Sequence, residues 1–288
     1  MASNTNTKTP NPKNPSSLKP RYEIRKLEHE HIPWIIAIMC HSNGYHSPVW
    51  PVLYPEDMTA RVHDIFDAGD YLVRHQVDSG LSFGVFDTEY QYKTEEAKKA
   101  GGKLFWDRNE PSIQEKEGLE AEADRLLKQL DFPLVSIAMS YDANNPLDMG
   151  KMGPLMVTLP AFGPIYHVLG GLDQRDPASW QPTGPNQVLF RNATATRHDY
   201  EGEGIMGGLA RWLMREAAER GYRGIQIECL ADPVTHIWSK GATQDGKFKG
   251  TVVSSFDMGT WKDEEGKLLF EPSKQQASKC YVDLKARV

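Results

Sequence analysis

A chain of 288 residues, 39% hydrophobic and 25% charged, has enough apolar content for a folded core and is not a disordered polymer. Its formal net charge of −6 excludes the basic surface that general nucleic-acid binding requires. No apolar run approaches bilayer-spanning length, so neither nucleic acid nor membrane is an expected partner.

Residues 1–20, rich in Asn, Thr, Pro, Ser and Lys, lack the apolar core of a secretory signal and read as a disordered tail. Cys40, Cys229 and Cys280 are few, odd in number and far apart, which excludes a disulfide scaffold and points to a reducing, cytoplasmic setting. From Tyr22 to Leu27 the chain alternates as a strand. Ile32, Ile35, Ile36 and Met39 then recur at helical spacing within a predicted helix from Glu28 to Cys40. The aromatic and proline-rich stretch 42–55 reads as an ordered loop, and Glu56 to Val77 as a second helix. A strand is predicted from Leu81 to Phe86, a helix from Ser112 to Leu130 and a strand from Leu134 to Tyr141. Residues 142–186, with prolines at 146, 154, 160, 164, 177, 182 and 185, read as a long loop, either a lid or substrate wall or a decorative insertion.

The most informative stretch runs from Gln187 to Lys240. Val188 to Thr196 reads as a strand entering a glycine-rich turn at Gly202, Gly204, Gly207 and Gly208. Ile205 to Arg220 is the clearest helix, with Ile205, Leu209, Trp212, Leu213 and Ala217 on one face and Gly221 as its cap. Gly224 to Leu230 is the next strand, followed by a short helix to Lys240 with Asp232 as its N-cap. Thr251 to Met258 and Lys279 to Lys285 are further strand-like runs. Glycines at a helix start leave backbone N–H groups unpaired at the positive end of the helix dipole, a place for a pyrophosphate.

Three readings of that turn compete. Gly202, Gly204 and Gly207 satisfy GxGxxG, with Glu228 ending the next strand, which is the dinucleotide fingerprint. That fingerprint needs a buried apolar strand running into the first glycine, whereas residues 196–201 (TRHDYE) are polar or amphipathic. A second reading has the glycines serving only close helix–strand packing. In the third, the segment resembles the acetyl-coenzyme A motif of the GNAT superfamily of N-acetyltransferases: a strand, Arg/Gln-x-x-Gly-x-Gly/Ala, a helix, a strand and a short helix. Glu201 falls at the Arg/Gln position, Gly202 and Gly204 on the family glycines, and Met206 at the final Gly/Ala. Downstream, residues 232–240 (DPVTHIWSK) resemble Asn-x-x-Ala-x-x-x-Tyr-x-Lys. Two departures stand out: Glu201 puts a carboxylate near a pyrophosphate, and Trp238 stands where many members place the tyrosine that protonates the leaving thiolate.

The resemblance implies an α/β fold with a central, mostly antiparallel sheet splayed at the cofactor-binding strands. It implies one domain over 21–288, with insertions at about 88–131 and 142–186. It implies an N-acetyltransferase moving an acetyl group from acetyl-CoA directly to a small-molecule or peptide amine. The coenzyme contacts it implies are Ala195, Thr196, Arg197, Glu201, Gly202, Glu203, Gly204, Ile205, Met206, Gly207 and Trp238, with Arg211 as a further source of charge. For the general base, Glu228 ranks first and His198 second. Tyr166 and His167 could reach a pocket from the long loop. Trp34, Tyr45, Trp50, Tyr54 and Trp106 lie where the fold builds its acceptor cleft, with core filling expected for at least half of them. His29 and His31 lack a third ligand, so no metal is expected. The alternatives are a degenerate coenzyme A-binding member with little turnover and a nucleotide-dependent (NAD) oxidoreductase. The acceptor's identity and the oligomeric state, homodimer included, are left open.

Overall fold

The computed structural model describes residues 5–241 and 248–285. Strand β1 (Tyr22–Lys26) is followed by α1 (Ile32–His41), α2 (Trp50–Leu53), α3 (Met58–Ala68), α4 (Asp70–Asp78) and β2 (Phe83–Asp87). Then come α5 (Glu95–Ala100), β3 (Lys103–Leu104), α6 (Gln114–Glu117), α7 (Leu119–Lys128), β4 (Leu130–Asp131) and β5 (Leu134–Asp142). Helices α8 (Gly153–Thr158), α9 (Phe162–Gly171) and α10 (Pro177–Trp180) precede β6 (Val188–Thr196) and α11 (Ile205–Glu219). The chain continues with β7 (Gly224–Cys229), α12 (Asp232–His236), β8 (Lys249–Asp257) and β9 (Gln276–Asp283).

Among the described residues, seven strands form one sheet in the order β1-β2-β5-β6-β7-β9-β8, and β3 pairs with β4 separately. Every pairing in the large sheet is antiparallel except β6 with β7. A doubly wound sheet needs successive parallel βαβ units, so the dinucleotide-fold reading of the glycines is overturned here. One face carries α1, α3, α4, α7, α8 and α9; the other carries α11 and its neighbours. Helix α1 is central: Ile35 through Cys40 are all buried, as an apolar run flanked by protein on most sides must be. Helix α11 is amphipathic and buries Ile205, Leu209, Trp212, Leu213 and Ala217 against the other face.

Several predicted boundaries shift for local reasons. The predicted helix over 56–77 is two helices broken at Gly69, and that over 112–130 is interrupted at Gly118, where φ is +90°. Residues 142–186 are largely helical rather than a loop, their prolines sitting in first turns such as Pro154 and Pro177, where no N–H is missed. Asp232 lies inside α12, whose N-cap is Ala231.

The expected disordered tail is corrected over residues 5–20. Asn14 accepts from Trp212 Nε1 at 2.9 Å through its carbonyl and donates to the Trp212 carbonyl at 3.2 Å. Leu18 is buried against Gly208, where a β-carbon would lie 2.5 Å from its methyl. Polar composition alone misreads this segment because its hydrogen-bond partners lie almost 200 positions downstream. Residues 1–4 of that tail and 286–288 at the other end lie outside the described residues.

Candidate active site

Strand β6 does two things in succession. Over its first half it pairs in parallel with β7, from Val188 opposite Gly224 to Arg191 opposite Ile227. Beyond that register the two strands part. β6 stays with β5 as far as Thr196 opposite Ser136, while β7 stays with β9 as far as Cys229 opposite Ser278. The departure coincides with a bulge: Ser140 faces Arg191 and Met139 faces Ala193, leaving Asn192 unopposed. The β7-facing edge of β6 over 192–196 is therefore open, and a cavity of about 1130 Å³ occupies the gap.

One end of that cavity is the glycine turn. Gly202 and Gly204 have φ of +78° and +75°, conformations that side chains rarely adopt. Gly204 caps α11 without a side-chain acceptor. The first intrahelical-type bond runs from the Gly208 N–H to the Gly204 carbonyl at 3.0 Å, and the N–H groups of residues 204–207 have no acceptor among the described residues. Arg211, in the second turn of α11, borders the same space and has no carboxylate partner among the described residues. Glu201 also borders it but meets His198 Nδ1 at 3.1 Å. Glu203 is turned away, bonded to Lys19 at 2.6 Å and to the Tyr22 hydroxyl at 2.8 Å.

Of the coenzyme-contact candidates, Ala195, Thr196, Glu201, Gly202, Gly204, Ile205, Met206 and Gly207 border the cavity. Arg197 is not among its lining residues: its buried guanidinium donates to the Phe132 carbonyl and pairs with Asp199 at 2.7 Å. The Phe132 carbonyl and a carboxylate two residues on hold it away from the cavity. Trp238 is fully buried, with the Arg191 guanidinium 5.3 Å from its ring centre and its indole N–H without a partner among the described residues.

At the strand gap stands Glu228, half-buried, the last residue but one of β7. Desolvation raises its carboxyl above the ordinary carboxylate range, against the opposing pull of Lys279, which itself pairs with Asp173 at 3.0 Å. Tyr166 and Asn192 share this wall, 3.5 Å apart from hydroxyl to amide nitrogen, and burial pushes the phenol well up. His198 is elsewhere: exposed, outside the cavity wall, stacked on His46 with ring centres 3.7 Å apart. The two base candidates are thus not brought together. His46 does border the cavity, and burial lowers it to about 4, so it is neutral at ordinary pH. Cys229 is buried with its thiol pushed up, a packing residue rather than a nucleophile.

Thr194 is a residue that sequence reading passed over. Arg191 is fully buried beside it, bonded to the Met139 carbonyl at 2.9 Å, the Ser140 hydroxyl at 3.2 Å and the Thr194 hydroxyl oxygen. Burial among neutral partners lowers Arg191 to about 9. Because the guanidinium donates to Thr194 Oγ1, the hydroxyl proton is free to point into the cavity that Thr194 lines.

The other end of the cavity is made by Met39, Trp50, Ile65, Leu72, Leu155 and Phe162. It opens where α1 widens into a π turn, Ser42–His46, packed so closely that a β-carbon on Gly44 would lie 2.6 Å from Val62. Of the aromatics expected to shape an acceptor cleft, Trp50 lines it. Trp34 stacks on Phe132, and Trp106 packs on Phe66, both as core.

No family model matches this sequence, and no curated protein matches it. Solved structures do. The C-terminal condensation domain of Ebony, in complex with beta-alanyl-dopamine, superposes with a TM-score of 0.57 at 18% identity, covering 94% of this chain and 100% of that one. Arylalkylamine N-acetyltransferase 2 from Aedes aegypti gives 0.54 at 8% identity, over 92% and 99%. A polyamine N-acetyltransferase of Drosophila melanogaster gives 0.53 at 10% identity, over 93% and 100%. The chain has the fold of the GNAT N-acetyltransferases along nearly its whole length. The antiparallel sheet, and the single parallel pair that opens beside the glycine turn, are as the motif resemblance implied.

Proposed function

We propose that the protein is an N-acetyltransferase that uses acetyl-CoA and transfers its acetyl group to an amine by direct attack. The observation that carries this reading is the separation of β6 from β7 beyond Arg191 and Ile227, next to a helix start whose N–H groups lack acceptors. A diphosphate fits that helix start, since residues 204–207 offer main-chain donors and Arg211 a cation without an ion-pair partner among the described residues. Glu201 is the one carboxylate of the turn that borders the space, and it is already engaged by His198. The open edge of β6 over 192–196 supplies backbone groups for an extended amide-bearing arm. Acetyl-CoA, when bound, supplies an activated thioester carbonyl.

The residues at the gap match the remaining steps. Glu228 removes a proton from the attacking amine, and its raised carboxyl brings its basicity closer to that task. As the carbon–nitrogen bond forms and the carbon–sulfur bond breaks, the Thr194 hydroxyl donates a hydrogen bond to the departing sulfur. Trp238 cannot serve there, because its indole is sealed in the core.

Thermal shift against acetyl-CoA, CoA, NAD and S-adenosylmethionine tests the reading. Stabilisation by the two coenzyme A species is expected. Stabilisation by NAD alone would sink it. Free-thiol release across an amine panel then separates an enzyme from a coenzyme-binding protein without turnover.

A further inference from the structure

The cavity carries opposite charges at separate points of its acceptor end. Glu228 is one. The other is Arg61, in the second turn of the helix Met58–Ala68. A line of aromatic rings joins them. Tyr166, beside Glu228, lies 4.7 Å from Phe162 between ring centres, Phe162 lies 6.4 Å from Trp50, and Trp50 lies 6.5 Å from Tyr54, nearly parallel at 6°. The Arg61 guanidinium sits 4.3 Å over the Tyr54 ring.

Arg61 has a structural role that explains part of this. Its Nη1 donates to the Thr158 carbonyl at 2.6 Å, which ties down the end of α8. The rest is unexplained by packing. Its Nε is buried with no acceptor, and no carboxylate lies within ion-pair distance of the guanidinium among the described residues. Its companions on the wall, Met58, Ile65, Leu155 and Leu159, are apolar. Leaving a guanidinium half-buried in such a setting without a counter-ion is costly. Carboxylates match its fork of N–H groups in the plane.

We propose that the acceptor is an apolar amine whose far end carries a carboxylate, with the amine at Glu228, the apolar body along the ring line and the carboxylate on Arg61. This rests on the acyl-transfer reading above and adds the acceptor's chemical class to it.

The test uses the full chain with acetyl-CoA and acceptors in matched pairs, each a carboxylate and its neutral counterpart. The pairs are aminohexanoic acid with hexylamine, aminooctanoic acid with octylamine, aminoethylbenzoic acid with phenethylamine, and phenylalanyl-leucine with its amide. Free-thiol release gives kcat/KM for each. In at least one pair the carboxylate member is expected to win by about tenfold or more, a difference within reach of one charge-assisted pair. Arg61→Met should erase that ratio and Arg61→Lys restore part of it, with acetyl-CoA thermal shift confirming that each variant is folded. If every neutral member matches or beats its acid in the wild type, or the ratio survives in folded Arg61→Met, the inference is wrong while acyl transfer stands. If no acid is consumed although acetyl-CoA stabilises the protein, it is equally wrong. If acetyl-CoA does not stabilise the protein, the acyl-transfer reading itself fails.

Discussion

The two ends of the cavity are built in different ways. The coenzyme end comes from one contiguous stretch, residues 192–211, and most of what it offers is main chain: an open strand edge and the N–H groups of a helix start. The acceptor end draws side chains from helices spread between residues 39 and 166 and from Glu228 on β7. What the first requires is a backbone path, which glycine and strand patterning dictate locally. What the second requires is convergence of distant side chains, which only the folded core supplies. A substitution at the first end should act on coenzyme affinity, and one at the second on acceptor chemistry.

The largest expected effect sharpens that division. Glu228→Gln keeps shape and hydrogen bonding but removes the base. We expect kcat to fall by about a hundredfold to a thousandfold, with acetyl-CoA affinity by calorimetry little changed. The pH profile adds a check. The Glu228 carboxyl is raised by burial, so activity should be lost as pH falls through a value above the ordinary carboxylate range. That acid limb should vanish from the residual activity of Glu228→Gln. A limb that persists would move the role to another group, and His46 is a titratable residue on the wall.

Next in size is a change at the other end. Gly204 holds φ at +75°, and a β-carbon there meets nothing within 4 Å, so Gly204→Val acts through backbone conformation and not through a clash. A branched residue in that conformation costs about 1–2 kcal/mol, and relaxing it re-aims the donors of residues 204–207. Acetyl-CoA affinity should drop about tenfold or more, on the scale of one lost charge-assisted contact. Turnover at saturating coenzyme should change far less. If Gly204→Val instead lowers kcat at unchanged affinity, the separation between the two ends breaks down.

These ends also differ in how far they can be read from sequence. The glycine turn, the long amphipathic helix and the strands flanking it are legible because each is set by local rules, and the structure keeps their bounds to within a residue or two. Arg197 and Trp238 misled for the same reason. Their positions relative to the motif are local, but their directions are set by Phe132, Asp199 and Arg191, which the motif does not contain. Arg61, Phe162 and the packed segment around Asn14 carry no motif at all. Their partners at Thr158, Trp50 and Trp212 become neighbours only once stretches distant in sequence pack together on the sheet.

Thr194 lies where the two ends meet, and it gives the smallest and most discriminating effect. Thr194→Val removes the hydroxyl at constant shape, while Thr194→Ser keeps it. We expect kcat to fall about tenfold in the first and to recover in the second, the magnitude of one hydrogen bond made in the transition state. Loss of rate alone would not separate a contact with sulfur from a packing defect, since Arg191 loses an acceptor in Thr194→Val as well. The thiol of bound CoA separates them. A hydroxyl that donates to sulfur favours the thiolate, so the ultraviolet titration of bound CoA should show its pKa lowered in the wild type and in Thr194→Ser, and raised back in Thr194→Val. A packing defect has no reason to move that titration, and an identical thiol pKa in all three proteins would place the hydroxyl away from the sulfur, leaving solvent as the proton source for the departing thiolate.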